Sequence, residues 1–350
     1  MTARQFKAKL FEAFMRNLLF NCGFNFVQPD GLYVFENQGL FFINGKGSAH
    51  DADVLMDPPI QIPFFYPTRV LFECKAYEKQ VRLPVVRNAL GLRADINEFE
   101  IINKEDLLNR KNNKRKNLAL ENRKRFFYQV GVASLNDFTK NAIEFATNNK
   151  IPLFSMRWLA GEAFFNSFDD IDDSLISKIK NENYKKLKNL FKKRDLNFDI
   201  LKSELESILG FNEQLAIVLQ TFKAFIEKLY IGILETGDII FLYPPEEGLD
   251  ILTILDRNQM TAKLFYDRGR PDLWDLEFSI NNKKYNYIFF LPRSIFEGWR
   301  ETNYDRLEAL NIKGNYFARI FIFNKYRSMT QPFYQINLDK EWFDEIRGID

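Results

Sequence analysis

The stretch RVLFECKAY, residues 69–77, gives the strongest indication of the fold. Its apolar, β-branched and aromatic residues predict a strand, and the apolar run at 70–72 indicates a central one. Because side chains alternate along a strand, Glu73 and Lys75 share one face, whereas Cys74 lies on the other and packs as a small apolar residue. A charged pair inside a central strand is costly unless something pairs with it. We therefore interpret Glu73 and Lys75 as functional rather than as a solvated surface pair.

The upstream segment ADVLM, residues 52–56, predicts a neighbouring strand that would bring Asp53 to Glu73. Two adjacent carboxylates repel each other unless a divalent cation bridges them. Lys75 would then hold or deprotonate the water that the metal polarises, which is the chemistry of phosphodiester hydrolysis. The predicted catalytic residues are thus Asp53, Glu73 and Lys75, with Asp53 and Glu73 as metal ligands. Asp51 competes for the place of Asp53, and we prefer Asp53 because it falls inside the apolar strand.

The composition restricts the chemistry that the chain can perform. It has 350 residues, 46% of them apolar, with a formal net charge of +2, two cysteines and one histidine. Two cysteines are too few for a disulfide framework, and a single imidazole argues against zinc hydrolases. A mechanism that uses carboxylates, lysine and a hard metal ion remains open. The small net charge means that any basic surface is local.

The N-terminus, MTARQFKAKLFEAF, lacks a long uncharged apolar stretch. Neither a signal peptide nor a membrane span is expected. A reducing cytoplasmic location is the default expectation.

The order of predicted elements divides the chain into two parts. Residues 1–160 alternate between helices and strands, which predicts an α/β domain with a mixed sheet and flanking helices. An acidic patch and a lysine-rich stretch at 161–195 predict a charged connector. Residues 196–350 predict a second, α+β domain of unassigned role, which would recognise DNA or a partner.

Asp53 followed by Glu73-Cys74-Lys75 resembles the PD-(D/E)xK motif of the restriction-endonuclease-like superfamily. The order of elements over residues 5–158 is similar to its Mrr-type branch, and the first helix, FEAFMRNLLFNCGF, would place Glu12 at a glutamate position of that family. The resemblance implies a restriction-endonuclease-like fold and adds Glu12 as a fourth catalytic residue. A solvent-facing helix position is the equal alternative for Glu12.

Two features depart from that pattern. Mrr-type proteins often carry glutamine where this chain has Glu73, and the glutamate restores the general superfamily motif and favours an active site. The basic segment 104–125 resembles an insertion. Glu73-x-Lys75 is the only acid-x-lysine triplet of the chain, which makes it more specific than such a short pattern usually is.

Several basic residues near the motif are candidates for contact with nucleic acid. Each also has an ordinary interpretation, as a loop histidine, a solvated helix surface or a solvated insertion. The candidates are His50, Arg87, Arg93, Lys114, Arg115 and Lys116.

The leading hypothesis is a Mg²⁺-dependent DNA endonuclease, with Mn²⁺ as a substitute, acting in restriction or anti-phage defence. A repair or recombination nuclease for branched or modified DNA is the second. The third is a non-catalytic nucleic-acid-binding subunit of a larger assembly. DNA is the expected partner, together with a second copy of the chain or a defence-system protein, and no membrane.

Overall fold

The computed structural model describes residues 1–59, 61, 66–100, 126–168, 171, 173, 181–210, 212–244, 259–280, 283–323 and 333–348. The described residues form a mixed α/β structure with three sheets. The helices are α1 (Ala3–Asn21), α2 (Leu83–Asn97), α3 (Lys140–Asn148), α4 (Met156–Ala160), α5 (Glu162–Ser167), α6 (Asn181–Lys192), α7 (Phe198–Leu209), α8 (Glu213–Lys228), α9 (Arg293–Glu301), α10 (Arg306–Tyr316) and α11 (Lys340–Arg347). The strands are β1 (Asn25–Phe26), β2 (Val34–Asn37), β3 (Leu40–Asn44), β4 (Ala49–Asp51), β5 (Val54–Asp57), β6 (Thr68–Lys75), β7 (Phe127–Ser134), β8 (Leu153–Ser155), β9 (Tyr230–Leu234), β10 (Ile239–Leu242), β11 (Gln259–Asp267), β12 (Arg270–Ile280), β13 (Lys283–Phe290), β14 (Arg319–Phe323) and β15 (Phe333–Leu338).

The first sheet carries the acid-x-lysine motif in its middle strand. Its order is β1-β5-β6-β7-β8, with β1, β5 and β6 antiparallel and β6, β7 and β8 parallel. The crossover between β7 and β8 is α3, because parallel strands need a helix-length connection. Glu73 and Lys75 pair in register with residues of β7 rather than lying at the edge of the sheet. The sequence prediction of a central strand is correct.

Helix α1 lies against this sheet and begins at a capping box. The Thr2 hydroxyl accepts from the Gln5 backbone N–H at 3.2 Å, and the Gln5 side chain accepts from the Thr2 N–H at 3.0 Å. These bonds satisfy two of the backbone donors that a helix N-terminus leaves without partners. Phe72 and Cys74 of β6 join the same apolar cluster as Phe14 of α1. One face of β6 is therefore covered by α1, and the motif lies on the other.

Residues 52–56 differ from the single predicted strand. The chain forms β4, which ends at Asp51, and then β5, which begins at Val54. Strand β4 belongs to the three-stranded sheet β2-β3-β4, whereas β5 belongs to the first sheet. The break between them occurs at Ala52 and Asp53, so the two candidate aspartates flank a change of sheet.

The second half contains a seven-stranded sheet of order β10-β9-β14-β15-β11-β12-β13. All its described pairs are antiparallel except β11 with β15. A separate apolar cluster, which includes Trp274 and Trp299, packs this sheet against α9 and α10. Both tryptophans are core residues, since each is at most 1% exposed.

The largest apolar cluster joins the two halves of the chain. It contains Phe14 of α1, Phe154 of β8, Phe222 of α8 and Phe241 of β10. The segment predicted as a charged connector contributes to it through α5 and α6, whose buried residues include Phe164. The predicted limits of the connector and of the two domains stay predictions.

None of the helices in the described part of the chain combines the length and the apolar character needed to cross a membrane.

Candidate functional site

Asp53 lies in the bend between β4 and β5 and reaches β6 with its side chain. Its Oδ2 accepts a hydrogen bond from the Cys74 backbone N–H at 3.0 Å. Cys74 is the middle residue of the acid-x-lysine triplet, so this bond fixes the Asp53 carboxylate beside the motif. Val54 pairs with Phe72 in the antiparallel register, and the next step of that register runs from Asp53 to Glu73. The structure therefore brings Asp53 to the predicted strand.

Glu73 and Lys75 form an ion pair at the carboxyl end of β6. Lys75 Nζ lies 3.2 Å from Glu73 Oε2, and each side chain is 22% exposed. Burial would lower the pKa of Lys75, but the carboxylates of Glu73 and Asp53 outweigh it, and the net effect raises that pKa. Lys75 is therefore protonated at neutral pH, which favours a role as a fixed positive charge over a role as a base.

Glu12 is buried on α1 and is only 6% exposed. Burial, together with the nearby Asp53 charge, raises the pKa of its carboxyl group against the opposing effects of Lys9 and Arg16. Lys9 Nζ donates to both Glu12 oxygens at 2.9 Å, and Arg16 Nη1 lies 3.9 Å from Oε2. Glu12 is thus not a solvent-facing helix residue, and its charge interacts with that of Asp53.

Two arginines that the sequence analysis did not select hold the Asp53 segment in place. Arg16, 4% exposed, donates from Nη1 to the Asp53 carbonyl at 2.9 Å. Arg194, which follows α6, donates to the Ala52 carbonyl and lies with its guanidinium carbon 4.4 Å from the centre of the Phe41 ring. Burial, with a smaller contribution from Arg16, lowers the pKa of Arg194 to about 10. Both remain cationic at neutral pH, so two positive charges lie beside the acidic residues.

The structure separates the two aspartates of HDADV. Asp51 ends β4 in the three-stranded sheet, and its Oδ1 lies 3.7 Å from Arg194 Nη2. Its side chain is 45% exposed. Of these two aspartates, Asp53 is the one with a hydrogen bond to the motif strand. The geometry therefore favours Asp53 over Asp51 for the predicted role of metal ligand.

The predicted nucleic-acid contacts lie apart from this cluster or outside the described residues. His50 is in β4, and its Nε2 lies 2.6 Å from Asp95 Oδ2 on α2. Arg93 donates to the carbonyls of Lys150 and Asn149, just beyond α3, at 3.1 and 3.0 Å. Arg87 is exposed on α2, with its guanidinium carbon 5.7 Å from the Phe145 ring centre. Lys114, Arg115 and Lys116 lie outside the described residues.

Two open cavities lie on neighbouring faces of the first turns of α1. One, of about 830 Å³, includes Ala76 and Tyr77, which directly follow Lys75. Its basic residues are Arg4, Lys7, Lys79 and Arg82. The other, of about 310 Å³, includes Glu12 and Arg16. The sequence interpretation selected neither group of basic residues, because α1 and the loop after β6 meet only in the folded chain.

The acidic residues define what metal the site could accept. Within the described ranges, no three or more of His, Cys, Asp and Glu form a group that could hold a metal ion. Asp53, in the bend before β5, and Glu73, on β6, can supply two carboxylates. Mg²⁺ is commonly held by one or two carboxylates, with waters and substrate phosphates completing its shell. The oxygen-only donor set therefore fits Mg²⁺ or Mn²⁺ in that mode and does not fit a closed zinc site.

Comparisons with known proteins add no family. No family model matches the chain, and no curated protein matches it. A solved structure described as a protein of unknown function, AF1548, is 14% identical, with a TM-score of 0.32. The match covers 63% of this chain and 98% of that one. A TM-score this low does not establish a shared fold.

Proposed function

We propose that the chain is a Mg²⁺-dependent DNA endonuclease that hydrolyses phosphodiester bonds. Its active site would consist of Asp53, Glu73 and Lys75, and Mn²⁺ would substitute for Mg²⁺. The observation that carries the proposal is the hydrogen bond from the Cys74 N–H to Asp53 Oδ2. It holds one carboxylate at the strand position between Glu73 and Lys75. A charge cluster on a central strand is costly to bury, and clusters of this kind are concentrated at functional sites.

Each residue of the cluster has a role that follows from its contacts. Asp53 and Glu73 would hold the metal ion, which, when bound, neutralises phosphate charge and polarises water. Lys75 stays protonated and would stabilise the charge that develops on the phosphate or orient the attacking water. Glu12 lies beside Asp53 with a raised pKa and could exchange a proton or orient a water. Arg16 positions the Asp53 backbone through its 2.9 Å hydrogen bond.

A restriction-endonuclease-like fold of the Mrr type is part of the same proposal. Its support is the order of elements around the motif: α1, the antiparallel pair β5 and β6, then β7, α3 and β8 parallel to β6. The resemblance of residues 5–158 supplies the expected role in restriction or anti-phage defence. A partner protein of that system or a second copy of the chain belongs to the same expectation.

DNA is proposed as the substrate because basic residues outnumber acidic ones in the lining of the cavity after Lys75. Arg4, Lys7, Lys79 and Arg82 face it, together with two acidic residues. Neutralising backbone phosphates with such residues provides affinity that does not depend on sequence and falls with salt. The cavity directly follows the strand that carries the motif, so a bound backbone would lie close to Lys75.

The Lys75→Ala variant tests the proposal. We expect plasmid DNA with Mg²⁺ to be cut by the unmodified chain, and the rate to fall by at least about 10²-fold in the variant because a preorganised charge is removed. The measurement is the rate of supercoiled DNA loss, with Mn²⁺ in a parallel series. Binding to the same DNA in the presence of a chelator should stay nearly unchanged.

Lys223→Ala is the matched control for that assay. Lys223 is a solvent-exposed lysine of α8 that forms ion pairs with Asp199 and Glu227, away from the motif. It should cut at the unmodified rate. Equal cutting by the Lys75 variant and the control would reject the assignment of the site.

A second candidate, a non-catalytic nucleic-acid-binding subunit, is favoured by one observation. The acidic side chains already have protein partners, since Glu73 pairs with Lys75 and Glu12 pairs with Lys9. Such a cluster could be stable without a metal ion. Metal binding that depends on Asp53 distinguishes the two candidates, because the endonuclease requires it and the binding subunit does not.

A further inference from the structure

The smaller cavity, of about 310 Å³, brings the lysine-rich stretch of the chain to the candidate site. Lys188 and Lys192 of α6, and Arg194 just after it, line the cavity together with Glu12 and Arg16. No sequence pattern predicted where this stretch lies relative to the motif. The fold now places it along one wall of a cavity whose other wall is the helix that bears Glu12.

The charge of the cavity is suited to an anion. Its described lining contains five basic residues, Lys9, Arg16, Lys188, Lys192 and Arg194, against Glu12 and Asp51. Lys192 is held in place, because its Nζ donates to the Gln38 carbonyl at 2.6 Å across Gly39. A Cβ at Gly39 would lie 2.8 Å from Lys192 Cδ, so glycine leaves room for this crossing.

Among the lysines of the cavity, Lys188 has an ammonium group that can bind an anion without first leaving a protein carboxylate. It is exposed on α6, and no carboxylate of the described residues lies within 4.0 Å of its Nζ. The lysine therefore gains no protein counter-ion from that part of the chain, whereas Lys9 is bound to Glu12. A phosphate at the mouth of the cavity would meet a free ammonium group.

The cavity also has apolar and aromatic surface at its mouth. Leu40 and Tyr184 are 39% and 37% exposed, which makes them two of the large apolar side chains that solvent reaches in the described structure. Phe191 lies deeper and is buried. Basic groups beside an exposed ring are the combination that binds a phosphate and stacks a base.

We propose that this cavity binds one unpaired nucleotide, with its phosphate on Lys188 and Lys192 and its base against Tyr184 and Leu40. The inference rests on the proposed function, which it deepens by naming the substrate feature. A base within a duplex is stacked and paired, and it must be extruded before it can enter a cavity. Strands with unpaired ends or flaps would therefore bind better than a blunt duplex.

A nucleotide in this cavity could come from the substrate strand or from a free mononucleotide. Both present the same phosphate and base. Arg16 lines the cavity beside Glu12, and its Nη1 donates to the Asp53 carbonyl at 2.9 Å. A strand end bound here would extend to the motif, whereas a free nucleotide would occupy the cavity alone.

The test is a fluorescence anisotropy titration of the full chain in a chelating buffer, with two labelled oligonucleotides. One is a blunt hairpin duplex, and the other is the same hairpin with a five-nucleotide single-stranded overhang. Loss of one stacked base or one phosphate contact corresponds to a roughly 10-fold loss of binding affinity. We expect Lys188→Ala and Tyr184→Ala each to weaken overhang binding by about that factor and to leave blunt binding unchanged.

Lys186→Ala is the matched control, since Lys186 is an exposed lysine of the same helix that does not line the cavity. Tyr184→Phe should retain the tighter overhang binding because the ring remains. Thermal unfolding and circular dichroism of every variant exclude loss of folding as the cause. If Lys188→Ala and Lys186→Ala weaken both oligonucleotides equally, or neither of them, the inference is overturned.

A mixture of deoxynucleoside monophosphates identifies the source. Displacement of the overhang oligonucleotide by the mixture assigns the cavity to the strand. Saturable mononucleotide binding that depends on Lys188 but does not compete assigns it to a free nucleotide. Both results support a nucleotide site. The site is rejected if neither the oligonucleotide nor the mononucleotides show binding that depends on Lys188.

The outcome is separable from that of the cleavage assay. Binding is measured without divalent cations, so it does not require a competent reaction centre. If Lys75→Ala cuts as well as the control, the proposed nuclease function fails and the binding result stands. If overhang binding is unchanged by Lys188→Ala while cleavage is lost in Lys75→Ala, only the inference about the cavity fails.

Discussion

At the residue scale, the positions of Asp51 and Asp53 decide which aspartate belongs to the site. They are two residues apart in the sequence, yet they lie on either side of the change from the three-stranded sheet to the first sheet. The Asp53 carboxylate accepts from the motif strand, whereas Asp51 lies 3.7 Å from Arg194. The sequence argument favoured Asp53 from its apolar neighbours, and the geometry supports the same choice for a different reason.

Asp53→Asn should abolish Mn²⁺ binding, because one of two carboxylate ligands becomes a neutral amide of the same shape. Isothermal titration calorimetry with Mn²⁺ measures the effect on the full chain. Asp51→Asn, the matched variant, should still bind Mn²⁺. Mn²⁺ binding that survives in Asp53→Asn but disappears in Asp51→Asn would show that Asp51 is the metal ligand. Absence of Mn²⁺ binding by the unmodified chain would favour the non-catalytic candidate.

At the element scale, the position of β6 in the sheet depends on how closely β7 approaches it. Gly131 of β7 pairs with Phe72, and a Cβ at Gly131 would lie 2.5 Å from Phe72 Cε1 and 2.8 Å from the Pro152 carbonyl oxygen. The Phe72 ring fills the space that glycine leaves and meets Phe154 edge to face at 4.8 Å. The absence of a side chain at Gly131 therefore makes the room that the Phe72 ring occupies beside the motif strand.

Gly131→Ala should lower the free energy of unfolding by about 1–3 kcal/mol, the usual cost of overpacking a core. Gly91→Ala is the control, because Gly91 lies in α2 and an added Cβ meets nothing within 4 Å. That change should raise the free energy of unfolding by about 0.5–1 kcal/mol through helix propensity. Urea denaturation measures both, and equal effects of the two substitutions would contradict the close approach.

At the scale of the whole molecule, the halves share one apolar cluster. Phe222 of α8 has its ring centre 4.6 Å from that of Phe14 in α1 and 5.3 Å from that of Phe164 in α5. A second junction is the hydrogen bond from the Trp158 indole to the Leu291 carbonyl at 2.8 Å. Since α1 also bears Glu12 and Arg16, the second half of the chain supports the helix that lines the site.

Phe222→Ala should therefore lower the free energy of unfolding by about 3–5 kcal/mol and destabilise both halves together. Hydrogen exchange of the β6 and β14 amides, compared before and after the substitution, measures the coupling. Ile217→Ala, on the same helix and 49% exposed, should change the free energy of unfolding by less than about 0.5 kcal/mol. Faster exchange confined to β14 would show that the halves unfold separately.

Local physical rules made part of this structure predictable. Thr2 and Gln5 predict the start of α1 because a capping box satisfies backbone donors within one turn. The period of two places Glu73 and Lys75 on one face of β6, and their 3.2 Å ion pair follows from that spacing. The apolar run of residues 69–77 predicted β6, which extends from Thr68 to Lys75.

That an acid-x-lysine pair lies on one face of a central strand follows from residues 69–77 alone, because neighbouring residues specify a strand and its two faces. The surroundings of that pair depend on how distant parts of the chain pack together. Arg16 lies 37 residues from Asp53 in the chain, and Arg194 lies 142 residues from Ala52. Contacts at such separations follow from how α1, α6 and the sheets pack, and no local pattern encodes them. The change of sheet at Asp53 and the basic cavity beside Glu12 depend on the same packing.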